Sequence, residues 1–414
     1  MNYETLDWVS SAEVREAMSR RAKEQMPKQY DSALVPRIAE VPLSLSTDTF
    51  AHLEQVALQV TRFDAEQSNA ILPFTALLLR SESFASSRIE DLSSSARKIF
   101  EAEIEEYAGT KNAQLILANT RQMQEATKEP RVSVDGLLDM HRVLLEESAP
   151  EIAGKLRTEP VWIGGKNLYP EGALFVPPQH EHLPALMADL EEFCRRRDLP
   201  AIAHAAIAHA QLETIHPFAD GNGRTGRALI HILLRNHGLT SNAALPISAG
   251  LLRNTEEYFD GLNAYREGRP EEIITLFADA ALHAVERGSW LAQELEELDQ
   301  QWRDLDIGRK DHSAWDLLGL LLHRPVLTAK MVSEELDLSD TRARSALRRL
   351  EEVGVLRSSA SAVKGIRAWR AVEVLEILDE FAEGWVAVSS HSQHYLDIAK
   401  CVRGHTYHVT GERK

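Results

Sequence analysis

Twelve consecutive residues, His216-Pro217-Phe218-Ala219-Asp220-Gly221-Asn222-Gly223-Arg224-Thr225-Gly226-Arg227, hold most of the chemistry legible in this chain. His216 is a titratable base able to take a proton from a hydroxyl. Asp220 is a carboxylate able to hold a divalent cation. Gly221-Asn222-Gly223 is a turn in which backbone N–H groups can converge on an anion. Arg224 and Arg227 add two permanently charged planar forks suited to phosphate oxygens. Together these groups describe a site that handles phosphate.

The flanking sequence predicts how they are held. Ala201 to Leu212 is alanine-rich and free of Gly and Pro, so a helix is expected there, ending at Pro217 just beyond His216. Ala228 to Leu234 is apolar on nearly every face and stops at Gly238, the pattern of a buried helix with a glycine terminator. The glycine turn therefore opens this second helix, whose unpaired N–H groups and positive dipole end face the turn. Arg224 and Arg227, three residues apart, project from its first turn on one face. His209 and Glu213, four apart on the first helix, read as an ordinary surface pair.

The twelve residues match, position by position, the signature His-x-Phe-x-(Asp/Glu)-Gly-Asn-Gly-Arg-x-x-Arg, and the chain resembles the Fic family. Two further segments extend the resemblance. Gly154 to Gly165, with Phe175-Val176-Pro177-Pro178, makes two short β-like runs around a Gly/Asn/Pro-rich tip. It resembles the family's target-docking hairpin, or flap, an edge that can pair with an extended peptide. Ser86-Ser87-Arg88-Ile89-Glu90 resembles the inhibitory motif (Ser/Thr)-x-x-x-Glu-(Gly/Asn), with Asp91 in place of the final Gly or Asn.

The resemblance implies adenylyl transfer. AMP would move from ATP to a side-chain hydroxyl of a target protein, or of the chain itself, with release of pyrophosphate. It implies His216 as general base, Asp220 as the Mg²⁺ ligand, and Asn222 with the backbones of Gly221 and Gly223 as the cradle of the α- and β-phosphates. Arg224 is implied to stabilise the phosphates. Arg227 is implied to hold the γ-phosphate in the active state and Glu90 in the resting one, with Ser86 part of the inhibitory motif. Gly223 departs from the phosphorylating Doc branch, which has lysine there. Two other readings use the same residues: a nucleotide-sensing or self-modifying core in a DNA-binding regulator, and removal of AMP from a modified protein with Glu90 orienting water.

A length of 414 residues fits two or three domains. Hydrophobic content is 44%, and no apolar run approaches the ~18 residues of a membrane span, so no membrane partner is expected. Met1 to Asp7 lacks the basic and apolar regions of a signal peptide. The two cysteines, Cys194 and Cys401, make no disulfide framework, which with the resemblance points to a cytoplasmic protein. A net charge of −17 weighs against generalised nucleic-acid binding.

The fold class expected is mainly α: a Fic-type helical core with a β-hairpin flap, plus a small winged-helix α+β domain. Residues 1–110 are assigned to an N-terminal helical region carrying the inhibitory motif, with a Pro-rich arm at 27–43 and unbroken helical sequence such as Glu82 to Tyr107. Residues 111–300 are assigned to the catalytic core, 309–372 to the winged-helix-like domain, and 373–414 to a C-terminal helix and tail. Segment 309–370 has twelve Lys/Arg against eight Asp/Glu, a net of +4. Apolar Trp315 to Leu322, a helix from Thr328 to Leu336, and a helix capped by Ser339 are followed by strands at Val355 to Arg357 and Ile366 to Arg370. This order resembles a winged helix. Either its third helix sets Arg342 and Arg344 against DNA, or the module binds protein, a second copy in a homodimer included; both readings are open. In the tail, His391, His394, Cys401, His405 and His408 are zinc-ligand types without paired cysteines.

Overall fold

Helix-forming sequence dominates the chain, and the computed structural model is mainly α; it describes residues 1–8, 20, 28–69, 75–104, 109–129, 131–165, 170–242, 244–309, 313–360 and 367–383. The chain nevertheless begins with strands where a helical region is expected. β1 (Asn2–Asp7) and β2 (Gln29–Leu34) pair antiparallel, with Tyr3 opposite Ala33 and Leu6 opposite Tyr30. Just past β1, Trp8 meets the rings of Tyr30 and Trp162 edge-on at 5.6 and 5.5 Å. Ala33 N–H donates to Val176 O (3.0 Å) and Ser32 Oγ to Pro177 O (3.0 Å), so this pair backs the flap segment.

Helices α1 (Thr47–Asn69), α2 (Thr75–Ile89), α3 (Ala96–Ala102) and α4 (Lys111–Lys128) follow. The unbroken helix expected beyond Glu82 stops at Ile89. Asp91 adopts the left-handed conformation (φ 58°), its N–H donates to Arg88 O (2.8 Å), and Leu92 N–H reaches back to Ser87 O (2.9 Å). This is a Schellman ending, and its left-handed residue is best supplied by Gly, Asn or Asp. Asp91 supplies that left-handed residue here.

Next come α5 (Val134–Leu145), α6 (Leu183–Cys194), α7 (Ala201–Ile215) and α8 (Asn222–Asn236). Between α5 and α6, the described residues of the expected hairpin carry one antiparallel bridge, Ile163 with Phe175. Every residue of α7 from Ile202 to Ile215 is buried. Its alanines let neighbouring helices approach on all sides, so no solvent face is left; His209 and Glu213 are interior, not a surface pair. The scaffold is completed by α9 (Ile247–Leu252), α10 (Thr255–Arg266) and the 34-residue α11 (Pro270–Arg303), which opens with Pro270, Glu271 and Glu272.

The C-terminal part comprises α12 (Ala314–Leu321), β3 (Val326–Thr328), α13 (Ala329–Glu335), α14 (Asp340–Glu352), β4 (Arg357–Ala360), β5 (Arg367–Arg370) and α15 (Val372–Glu383). Thr328 and Ser339 cap α13 and α14 as expected, accepting from Met331 N (3.3 Å) and Arg342 N (3.4 Å). The strands form an antiparallel sheet in the order β3-β5-β4. Three-residue β3 is too short for a sequence pattern. This part shares one contiguous core with the helices before it. Arg88 Nη1 donates to Ala382 O at the end of α15 (3.0 Å), and Asp379 accepts from Ala96 N–H (2.8 Å). The tail histidines, Cys401 and the Lys364-Gly365 tip lie outside the described residues. Among those described, no helix is long and apolar enough to cross a membrane.

Close helix packing makes a stability prediction. A Cβ on Gly250 of α9 would stand 2.3 Å from the Ala280 carbonyl oxygen of α11, whereas one on Gly319 of α12 meets nothing within 4 Å. Gly250→Ala should lower unfolding free energy by about 1–3 kcal/mol. Gly319→Ala should raise it by about 0.5–1 kcal/mol. Urea denaturation measures both, and equal effects would contradict the packing described.

Candidate active site

The polypeptide reaches His216 at the C-terminal end of α7 in the left-handed conformation, φ 49° and ψ 59°. A non-glycine residue there is strained and must be held from outside. Buried Arg157 does the holding: its Nε donates to His216 O (2.8 Å), Nη2 to Pro178 O (2.6 Å) and Nη1 to Glu159 O (3.1 Å). One guanidinium thus ties the turn bearing His216 to both ends of the flap.

Past Pro217 the chain is fixed by a side-chain clamp. Phe218 N–H donates to Asn222 Oδ1 and Asn222 Nδ2 donates to Phe218 O, both at 2.9 Å. The Asn222 amide, expected at a phosphate, is spent on the turn, while its residue still lines the pocket with Gly221 and Gly223. Beneath it, His141 of α5 stacks on Phe218 at 3.9 Å and 7°. Gly154 N–H donates to His141 Nδ1 (3.0 Å), so the other ring nitrogen, 2.9 Å from Asp220 O, is the donor. Asp220 Oδ1 accepts from Gly221 N–H (2.6 Å) and Arg224 Nη2 (3.2 Å). Its side chain remains 41% exposed at the pocket.

Gly221 (φ 81°) caps α8, whose first-turn N–H groups have no intrahelical acceptor. Arg224 and Arg227 both rise from that turn but find different partners. Arg224 bonds Asp220, and its Nε is a buried donor with no acceptor among the described residues. Arg227, 1% exposed, donates from Nε to Ser86 Oγ (2.9 Å) and from Nη2 to Ser86 O (2.9 Å) and Glu90 Oε1 (2.8 Å). The helix that carries Ser86 is itself anchored. Buried Glu82 accepts from Ser248 N–H (2.8 Å) and lies 3.1 Å from His231 Nε2, while Asn119 Nδ2 donates to Ser83 O and Ser87 Oγ. Gly223 makes room for the acid: a Cβ there would stand 2.2 Å from Glu90 Oε1.

The sequence reading thus locates His216, Asp220, the glycine turn, both arginines, Ser86 and Glu90, and the fold brings all of them together. It misses His141, Arg157 as a clamp, and the pocket residues Glu213, Tyr258, Asn263 and Arg266. The one local signal was the alanine-rich, all-buried character of α7, which places Glu213 inside. The pocket is a partly open cleft of about 860 Å³ that merges with solvent.

Burial sets the titration of the site. It pushes the imidazoles of His141 and His204 down to about 4. His209 and His216 are pushed down to about 3, with Arg227 and Arg157 respectively adding to burial. Each lies below the ordinary 6.5, so the unfolded chain binds more protons between those values and stability falls as pH drops below about 6.5. Glu213, pushed up to about 7 by burial and then by the charge of Glu90, acts in the opposite sense between 4.5 and 7. Four histidines outweigh one acid, so calorimetry should find a lower melting temperature at pH 5 than at pH 7; an equal or higher one would contradict neutral burial of these rings.

Known proteins resemble this chain in sequence and in fold. Residues 131–234, from the segment before α5 to the body of α8, match the Fic/DOC family. Protein adenylyltransferase fic-1 of Caenorhabditis briggsae is 30% identical over 159 residues, covering 38% of this chain and 28% of that protein. Protein adenylyltransferase Fic of Culex quinquefasciatus is 28% identical over 192 residues, covering 45% of this chain and 35% of that protein. The matched region spans about a third of these curated relatives' length. The crystal structure of a Fic family protein from Desulfovibrio desulfuricans G20 shares the fold, with a TM-score of 0.51 at 22% identity over 80% of this chain and 98% of that one.

Proposed function

We propose that this chain, which carries a Fic/DOC-family domain in residues 131–234, is a protein adenylyltransferase held at rest by Glu90. The observation that carries this reading is the meeting of His216, the α8 N-terminus and the Glu90–Arg227 ion pair in one pocket. A target hydroxyl attacks the α-phosphorus of ATP, the bond to the β-phosphate oxygen breaks, and pyrophosphate leaves. His216 takes the hydroxyl proton, a role worth ~10²–10⁴-fold in rate. The first-turn N–H groups of α8 and the orphaned Nε of Arg224 supply the electrostatic cradle for the phosphates. Arg227 receives the γ-phosphate once Glu90 withdraws.

The donor set suits Mg²⁺, because Asp220 presents an exposed carboxylate anchored through one oxygen, and magnesium takes one or two carboxylates together with substrate phosphates. When bound, the ion would neutralise charge on the phosphate oxygens. The flap, backed by β2, is where an extended target segment would dock. Buried Cys194 and the paucity of cysteine support a cytoplasmic setting.

Arg342 and Arg348 on the solvent face of α14 are what favours a DNA-binding role. Much of the module's positive charge is spent internally, however. Arg344 pairs with Asp340 (2.8 Å), Arg349 bonds Ile307 O (2.9 Å), and Arg367 pairs with Glu351 (3.1 Å). Adenylyl transfer therefore takes precedence.

Incubation with Mg²⁺ and ATP labelled at either the α- or the γ-phosphate tests it. Protein should take up α-label alone, weakly in the wild type, at least about tenfold more in Glu90→Gly, and at background in Glu90→Gly/His216→Ala, matching the loss of a general base. Uptake of γ-label would mean phosphorylation, and equal α-labelling by wild type and Glu90→Gly would remove the inhibitory role of Glu90.

A further inference from the structure

Glu213 sits one helical turn before His216 and takes no part in the phosphate chemistry described above. Its side chain lies on the floor of the pocket, only 7% exposed. Charged or titratable groups face it from every element packed around it: His216 on α7 itself, Glu90 at the end of α2, Arg227 on α8, and Tyr258 and Arg266 on α10. Two oxygens of this one residue converge on the same ring nitrogen. The Glu213 main-chain oxygen is 3.3 Å from His216 Nδ1, and its carboxylate Oε2 is 3.7 Å from it. Acceptors on that side place the proton on Nδ1 and leave Nε2 as the nitrogen able to take a proton.

The electrostatic surroundings make that carboxylate matter. Arg157 and Arg266 both oppose positive charge on the His216 ring, in addition to its burial. A ring in that position can become imidazolium only where nearby negative charge offsets the two guanidinium groups. Asp220 contributes, but its carboxylate is engaged by Arg224; the Glu213 main-chain oxygen favours the protonated ring, and the Glu213 carboxylate lies 3.7 Å from Nδ1.

We propose that Glu213 is a positioning residue for the base, fixing the His216 ring as the Nδ1–H tautomer and offsetting the imidazolium formed when Nε2 takes the hydroxyl proton. The proposal rests on the adenylyl-transfer reading. The proton passes from the hydroxyl to Nε2 and later to solvent; Nδ1 keeps its own proton and Glu213 gains none. Glu213 serves in this way only while ionised, and burial together with the charge of Glu90 pushes its carboxyl up to about 7. Transfer should therefore rise with pH across that region. Removal of the Glu90 carboxylate takes away one of the causes, so the rise should move to lower pH in Glu90→Gly.

The test uses the full chain carrying Glu90→Gly as parent, with α-labelled ATP and a pH series. Adding Glu213→Gln should lower kcat by about 10–100-fold, a fraction of a whole base's contribution. The KM for ATP should stay within about threefold, because the loss falls on the transition state and not on ground-state binding. The acid limb of the pH profile should flatten in Glu213→Gln and persist in Glu213→Asp. A Glu213→Gln enzyme with the parent's kcat and the parent's pH limb would overturn the proposal. Nitrogen-15 NMR of the His216 ring gives a readout independent of turnover: a single Nδ1–H tautomer in the parent, and a mixture in Glu213→Ala. Should the parent transfer no label, adenylyl transfer itself fails, and the tautomer alone decides the role of Glu213; an unmoved tautomer in Glu213→Ala then refutes it.

Discussion

A guanidinium removed from water needs its charge met at close range, and Arg227 is almost completely removed. Among the acceptors that meet it, Ser86 supplies two oxygens and Glu90 one. The division is unequal in a useful way. Ser86 is buried within α2, whereas the side chain of Glu90 is 29% exposed at the helix end. Withdrawal of Glu90 would leave Arg227 still partnered by Ser86, so the fork survives the loss of its carboxylate and stays open to another anion. A contact of this kind is exchangeable, and on the proposed reading a phosphate is what exchanges with it.

The rest of the structure serves to bring that carboxylate and His216 to one pocket. Glu82 and Asn119 pin α2 along its length, and the Schellman turn at Asp91 fixes where it ends. Gly223 supplies the space that any side chain would take from Glu90. Arg88, two residues before Glu90, is tied to the last turn of α15, so the C-terminal module bears on the same helix end. Across the pocket, Arg157 holds a strained His216 by its carbonyl and fastens the flap to it. The flap segment and the His216 turn are thereby joined through a single side chain.

Much of this was legible because it is local. The residues from His216 to Arg227 are contiguous, and an alanine-rich helix, a proline stop and a glycine-opened apolar helix dictate how they are presented. The capping residues Thr328 and Ser339 were legible for the same reason. What was not legible depends on distant partners. His141 is 79 residues from the Asp220 carbonyl it supports, and Arg157 is 59 from the carbonyl of His216. The end of α2 at Ile89 follows from no proline or glycine; it takes Asp91 into the left-handed region with α15 packed alongside. The β1–β2 pair gains its order from Trp162 and Val176, more than a hundred residues away in sequence. Glu213 was misplaced because charge suggested surface, when the small side chains around it meant burial on every face.

Competition for the Arg227 fork is best tested by calorimetric titration of ATP and ADP, with Mg²⁺, into the wild type and Glu90→Gly. If Glu90 occupies the place of the γ-phosphate, its removal should strengthen ATP binding by about tenfold more than ADP binding, the ~1.4 kcal/mol scale of one charged contact. An equal change for the two nucleotides, or none for either, would show that Glu90 and the γ-phosphate do not compete for Arg227.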